Sequence, residues 1–459
     1  MAGVDTPVLR HIVGSGKASR FFWDRAASAK FTDLAHATAL DGGREALAGR
    51  SVLLATSSQL TTALALIELD GVASRIVILP PDADAEQLGA IVALAQVDAV
   101  IVDRGTPANA AFDSLVQVTC ATSIVAAAKF SDIACRTEWV LMTSGTTGTP
   151  KLAAHALAGL TAALSAPSPA DGASVWGTFY DIRRYGGLQI YLRTLLGQAS
   201  LVLSCAGEPV ADHLARLAEH GVTHLSGTPS QWRRALMSPA IGKIAPRYVR
   251  LSGEIADQAI LDSLRQAFPH AVIGHAYAST EAGVAFDVND GLAGFPVSYV
   301  GGVRDGVELN IRDGSLRIRS RGTASGYVGN AQMLADNDGF VDTGDMVERR
   351  GDRYYFTGRK GGIINIGGLK VHPEEIEAVI NRHPQVRMSL VRPKQNPVTG
   401  AIVVAEVVLK PDAEKAGPAD LKDDILKLCR DVLPRHKVPA AISFVPALKV
   451  AATGKLLRR

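Results

Sequence analysis

Nine consecutive residues, Thr143-Ser144-Gly145-Thr146-Thr147-Gly148-Thr149-Pro150-Lys151, hold five hydroxyls, two glycines and one lysine. Glycines let successive backbone N–H groups turn toward one point, and such concavities hold anions. Hydroxyls add donors and the lysine adds a mobile positive charge, so phosphate suits this stretch. The common nucleotide loop ends in Gly-Lys-Ser/Thr; here Lys151 follows Pro150 and precedes Leu152. Taken alone, the stretch also fits a plain polar turn. Gly14-Ser15-Gly16-Lys17 is a loop: His11 stands where that motif needs its first glycine.

Other elements must bring chemistry to this loop. Trp139-Val140-Leu141-Met142 reads as the buried strand that delivers it. Val52-Leu53-Leu54-Ala55, Ile76-Val77-Ile78-Leu79 and Ala99-Val100-Ile101-Val102 read as strands, with helices over 60–69 and 85–94 between them. That alternation predicts a parallel sheet with crossover helices. After the loop, 156–164, 210–220 and 257–268 read as helices, and 199–204, 222–225, 248–251 and 272–277 as strands. Three of these strands run into small polar stretches: Ser226-Gly227-Thr228-Pro229, Ser252-Gly253-Glu254 and Ala278-Ser279-Thr280-Glu281. In open parallel sheets ligands collect at the carboxyl ends of strands, so these loops can share one site. Residues 1–50 are expected to form surface helices.

From 297 to 358, short alternating runs with Gly-Asp turns predict a small antiparallel β subdomain. Gly358-Arg359-Lys360-Gly361-Gly362, with three glycines in five residues, reads as a hinge. Beyond it, 363–366 and 369–371 flank Gly367-Gly368 as a hairpin. Pro373, Glu374 and Glu375 open a helix that buries Ile376, Val379 and Ile380. A strand over 401–409 and a helix over 421–432 follow. The expected fold is therefore α/β: a large N-terminal domain, 1–358, of parallel sheets with crossover helices plus a β subdomain. A hinge joins it to a small α+β C-terminal domain, 359–459.

The 459 residues imply two or three domains, and a net charge of +3 gives no sign of a nucleic-acid or membrane surface. Four scattered cysteines without a CxxC fit reduced core residues of a cytoplasmic protein. Residues 1–16 lack the plan of a signal peptide. The most apolar stretch, 52–67, is interrupted by Thr, Ser and Gln and is too short to span a bilayer.

Read in order, Thr143–Lys151, Tyr277-Ala278-Ser279-Thr280-Glu281, Thr343-Gly344-Asp345, Gly358-Arg359, Gly367-Gly368, Pro373-Glu374-Glu375-Ile376-Glu377 and Thr453-Gly454-Lys455 make a set. Over 138–459 the chain resembles the adenylate-forming superfamily of acyl-CoA synthetases, peptide-synthetase adenylation domains and beetle luciferases. Such enzymes join a carboxylate to the α-phosphate of ATP and release pyrophosphate; a thiol then displaces AMP.

The resemblance implies ATP, Mg²⁺ and CoA, or the phosphopantetheine of a separate carrier protein, acting with a small carboxylic acid. It implies that Lys455 is the catalytic lysine. Thr280 contacts phosphate and Glu281 holds Mg²⁺, while Thr143, Ser144, Gly145, Thr146, Thr147, Gly148 and Lys151 cradle the phosphates. Ser252, Gly253, Glu254, Ala276 and Tyr277 wall the adenine, and Asp345 and Arg359 hold the ribose. Gly367 and Gly368 line a thiol tunnel, and Lys360 and Gly361 form the hinge. Tyr185, in Arg183-Arg184-Tyr185-Gly186-Gly187, is expected in the acid pocket with Ser226, Gly227 and Leu251. Amino-acid-activating relatives carry an aspartate near that place; Arg183 and Arg184 stand there, with Asp181 displaced, which speaks against an α-amino acid. Three positions depart from the family pattern: Leu152, Gly361 and the proline-free Leu448-Lys449-Val450. CoA ligase, carrier-loading enzyme and catalytically silent nucleotide-binding regulator are the three readings in contention. The acid and the choice between monomer and homodimer stay open.

Overall fold

The computed structural model describes residues 8–14, 19–42, 44–127, 135–143, 151–164, 174–197, 199–330, 333–366, 369–396, 400–411, 418–451 and 455–457. Two eight-stranded sheets form its bulk. In the first, Arg75–Ile78, Ser51–Leu54 and Ala99–Val102 are neighbours and parallel, and Glu138–Thr143 joins them in parallel. In the second, Val175–Thr178, His224–Gly227, Tyr248–Ser252 and Val272–Ser279 run parallel in that order. Both antiparallel closures matter to the site. Lys151–Ala156 folds back on Glu138–Thr143, and Gly283–Val288 folds back on Val272–Ser279.

The sheets share one core because two helices lie between them. Helix Gln59–Leu69 has every residue buried; its apolar side chains fill the core, and its buried polar Gln59, Thr61 and Glu68 hydrogen-bond to neighbouring elements. Helix Tyr185–Leu196 packs beside it, and the Tyr191 hydroxyl donates to the Ala63 carbonyl at 2.9 Å. Gln59 joins the loops above: its amide nitrogen donates to the Ser204 carbonyl at 2.5 Å, and its amide oxygen accepts from Ile182 N at 2.8 Å. The outer face of the second sheet is covered by amphipathic helices Val210–Glu219 and Gln258–Ala267, around Trp232.

The expected β subdomain is a six-stranded sheet that includes Val307–Arg312, Ser315–Ser320, Val341–Arg350 and Arg353–Arg359. From Ile364 onward the chain builds a separate apolar core from Val371, Ile376, Ile380, Val391, Val407 and Ile425. There Ile364–Ile366 and Leu369–Val371 pair as a hairpin, and Pro373–Ile380 is a helix with Ile376, Val379 and Ile380 inside.

Among the described residues up to 50, the expected surface helices reduce to Val8–Gly14, with His11 exposed and Leu9 and Val13 buried, and the short Phe31–Leu34; the rest is mostly strand and turn. Phe21–Trp23 and Ser28–Lys30 end the second sheet, Ala37–Leu40 edges the first, and Leu9, Phe22 and Phe31 are fully buried. Strands of three or four residues are too short to show a period, so sheet-edge pairing decides their structure. The helix expected over 156–164 is shorter, Leu157–Thr161, because Lys151–Ala156 is drawn into the first sheet.

Candidate active site

Strands Val341–Arg350 and Arg353–Arg359 place Asp345 directly opposite Arg359. Arg359 Nε donates to Asp345 Oδ1 at 2.8 Å, and the Tyr277 hydroxyl donates to Asp345 Oδ2. Burial, and then the Asp345 carboxylate, push the Tyr277 phenol well above its ordinary pKa, so it stays a donor. The Tyr277 ring stacks on Phe356, with centroids 5.0 Å apart and planes 8° apart, and lies 5.8 Å from Phe286. The structure thus gives Tyr277 a contact that sequence reading did not foresee: it orients the carboxylate of Asp345. Ala276 is buried beside Ser252, its partner across the sheet.

Of the phosphate stretch, Thr143 and Lys151 are described and face each other across the hairpin. Ser144, Gly145, Thr146, Thr147 and Gly148 lie outside the described residues. Lys151 Nζ sits 5.2 Å from the ring centre of Tyr327, whose hydroxyl donates to Glu281 Oε1 at 3.1 Å. Tyr327 reaches this place because Gly326–Tyr327 pairs with Lys151–Ala156 at the sheet edge. Its two-residue strand carries no periodic signal, and sequence reading missed it. Burial and Glu281 raise its phenol pKa. Among the described residues no group of three or more His, Cys, Asp or Glu could enclose a metal. A single hard carboxylate such as Glu281 still suits Mg²⁺, which takes most of its ligands from phosphate and water.

Lys455 arrives from the other domain. It lies against Gly253, where a Cβ would sit 3.3 Å from Lys455 Cε. Gly253 also has φ +87°, a region that disfavours side chains. The cleft keeps Lys455 open to solvent, yet its surroundings lower its pKa. Partial desolvation acts most strongly; Glu254 and Asp345 pull the value up, and Arg359 and Arg184 push it down. The same neighbours tie Lys455 to the Asp345–Arg359 pair.

The expected acid-pocket residues divide. Tyr185 is buried at the start of its helix, 5.9 Å between ring centres from His155. Ser226 is fully buried and its Oγ has no hydrogen-bond partner. Gly227 and Leu251 are not brought to Tyr185. Successive strand residues point to opposite faces, so Gly227 faces away from Ser226. A Cβ on Gly227 would lie 2.7 Å from Phe179, and Leu251 packs in the outer cluster with Trp232. The residue level with Ser226 on the inner face is Arg250, buried and paired with Asp287 at 2.6 Å. Arg183 is held by protein partners: it pairs with Asp181 at 2.6 Å and donates to the Thr56 carbonyl at 2.5 Å. Arg184 pairs with Asp82.

His155, 1% exposed, has no hydrogen bond of ordinary geometry at either ring nitrogen; the Thr280 backbone is the polar group beside it. Burial lowers its pKa to about 4. The unfolded chain takes up the proton near 6.5. Stability from this group is therefore full above 6.5 and is lost as pH falls toward 4, by about 3 kcal/mol. We expect wild type to lose that much more than H155F between pH 6.5 and 4 in urea titrations. Parallel curves would show that His155 is not buried and neutral.

Residues 52–328 match the AMP-binding enzyme family and 375–455 match its C-terminal domain, so the chain belongs to the AMP-binding enzyme family. A 2-succinylbenzoate–CoA ligase of Salmonella typhimurium is 28% identical over 92% of this chain and 88% of its own length. A benzoate CoA ligase of Burkholderia xenovorans superposes with TM-score 0.79 at 21% identity, covering 98% of each chain. An amide bond synthetase of Marinactinospora thermotolerans reaches 0.79 at 20% identity, covering 98% of this chain and 97% of its own. At those identities the two structures establish the fold alone. No described helix is long and apolar enough to cross a membrane.

Proposed function

We propose that the protein is an AMP-forming carboxylic acid–CoA ligase. The observation that carries this reading is the placement of Lys455 on the Ser252-Gly253-Glu254 turn, within electrostatic reach of Asp345 and Arg359. The ribose pair fixes the nucleoside, and Lys455 then stands where an ammonium can draw a carboxylate onto the α-phosphate. Two anions meet in that step, so fixed positive charge lowers the barrier. Glu281 would hold Mg²⁺, which neutralises phosphate charge when bound; Tyr327 and Lys151 position Glu281 and the phosphates. Tyr185 and Ser226 flank the acid. CoA ligases among the similar proteins support CoA as the acceptor.

The second half-reaction asks for a different face of the small domain. Exposed Lys360-Gly361-Gly362 is the proposed pivot, and alternating presentation by such a rotation is an established form of gating. Gly367 and Gly368 lie outside the described residues, between paired strands. If they line the thiol tunnel, G368W leaves acyl-AMP formation intact and stops thioester formation; unchanged thioester yield would remove that assignment.

The overall test is incubation with ATP, Mg²⁺, CoA and a panel of aromatic and aliphatic acids, with AMP and thioester followed by mass spectrometry. AMP and an acyl-CoA together support the ligase. AMP with thioester only on a phosphopantetheinylated carrier protein transfers the reading to carrier loading. Tight ATP binding with no AMP from any acid contradicts both.

A further inference from the structure

The Glu254 carboxylate bridges the two domains. Its Oε2 accepts from Ser230 N at 2.9 Å and its Oε1 accepts from Leu456 N at 3.0 Å. Ser230 belongs to the large domain, where a Thr228–Gln231 capping box holds the turn rigid: Gln231 N donates to Thr228 Oγ1 at 3.1 Å and Thr228 N to Gln231 Oε1 at 2.8 Å. Leu456 directly follows Lys455. It sits in a terminal hairpin closed by Ala451 N to Lys455 O at 2.8 Å and Leu457 N to Lys449 O at 3.0 Å. Leu456 also packs on Met388, Leu390, Val408 and Leu448 of the small domain. The Leu456 N–H is not used by the hairpin; its partner is Glu254.

We infer that Glu254 is a positioning residue, a latch that holds the small domain in the orientation that presents Lys455. This assignment rests on the ligase reading and differs from an adenine wall. Sequence reading grouped Glu254 with the adenine; the structure turns both of its oxygens to backbone N–H groups, one in each domain. The neighbouring Gly253 accepts the Lys455 stem where any side chain would crowd it. The turn thus receives two consecutive tail residues, one by shape and one by a charged hydrogen bond. Two other contacts across the domains are longer: Asn381 Nδ2 to Asp257 Oδ2 at 3.3 Å, and Arg350 Nη2 to Glu375 Oε1 at 3.6 Å. Rotation for the thiol step must break the Glu254 bond. The latch therefore favours acyl-AMP formation over transfer, and releasing it shifts the population of orientations.

A hydrogen bond to a charged group shifts such an equilibrium by roughly tenfold to a hundredfold. E254A is expected to slow acid-dependent pyrophosphate exchange by about tenfold or more, while thioester formation from supplied acyl-AMP holds or rises. E254Q, which keeps an acceptor without the charge, falls between. L456P removes the donor and should give the same split, with little further loss in the E254A/L456P double variant. Amide hydrogen exchange on the whole protein reads the latch without any turnover: E254A should speed exchange at Leu456 as well as at Ser230. Equal loss of both half-reactions, a rise in ATP KM with the two half-reactions in their wild-type ratio, or deprotection of Ser230 alone would overturn the assignment. If wild type exchanges no pyrophosphate with any acid, the ligase reading fails, and the Leu456 amide still decides the latch.

Discussion

Replacing Lys455 by alanine should lower acid-dependent pyrophosphate exchange by about 10²–10³, the cost of removing one preorganised donor at a developing charge, or about 2.7–4 kcal/mol. Thioester formation from supplied acyl-AMP should keep most of its rate. The asymmetry follows from position. Lys455 meets the Gly253 turn in the present orientation, whereas the proposed second step uses a rotated domain. The pH dependence carries the same signature. The ammonium form is the active one, and desolvation in the cleft lowers its pKa despite Glu254 and Asp345. Wild-type exchange should therefore fail on the alkaline side earlier than an ordinary lysine would dictate, and K455A should lose that limb. Loss of both half-reactions to the same degree would show that Lys455 acts on the fold or on nucleotide binding.

Asp345→Ala should damage both half-reactions, because in the proposed reaction the adenosine stays bound through both. Asp345 accepts from Arg359 and Tyr277, and a carboxylate has lone pairs left for the two ribose hydroxyls. Two hydrogen bonds to a charged acceptor, at about 1.5–3 kcal/mol each, correspond to at least ~10² in kcat/KM for ATP. The variant also leaves the Tyr277 hydroxyl and the Arg359 guanidinium without their shared partner. D345N, which keeps one acceptor, should recover part of the loss. A variant that lost only adenylation and bound ATP normally would remove Asp345 from the ribose site.

Sequence reading reached the fold where periods are long and strands are buried on both faces. Val52–Leu54, Ile76–Ile78 and Ala99–Val102 announce a parallel sheet through unbroken apolar runs, and helix Pro373–Ile380 announces itself through proline, acids and spacing. It failed at Phe21–Trp23 and Ala37–Leu40, short strands whose sheet partners include residues 80 to 180 positions away. In the candidate site, the sequence marked segments that the fold brings together, such as Asp345 and Arg359, but not which way strand residues point. Gly227 and Leu251 lie at the right ends of the right strands but face the outer core; Ser226 and Arg250 face inward. Tyr327 escaped notice because a two-residue edge strand, far along the chain, carries it to Glu281. The double role of Glu254 needed the folded tail, since nothing in Ser252-Gly253-Glu254 points to a residue two hundred positions later.

In the proposed reaction, ATP held by one domain reacts with an organic acid through a lysine supplied by the other. Exchange of labelled pyrophosphate into ATP by the wild-type protein, with and without each acid of a broad panel, tests it most directly. The expected result is exchange that depends on at least one acid and on Mg²⁺ and falls by about 10²–10³ in K455A. Acid-dependent exchange that survives unchanged in K455A would contradict it.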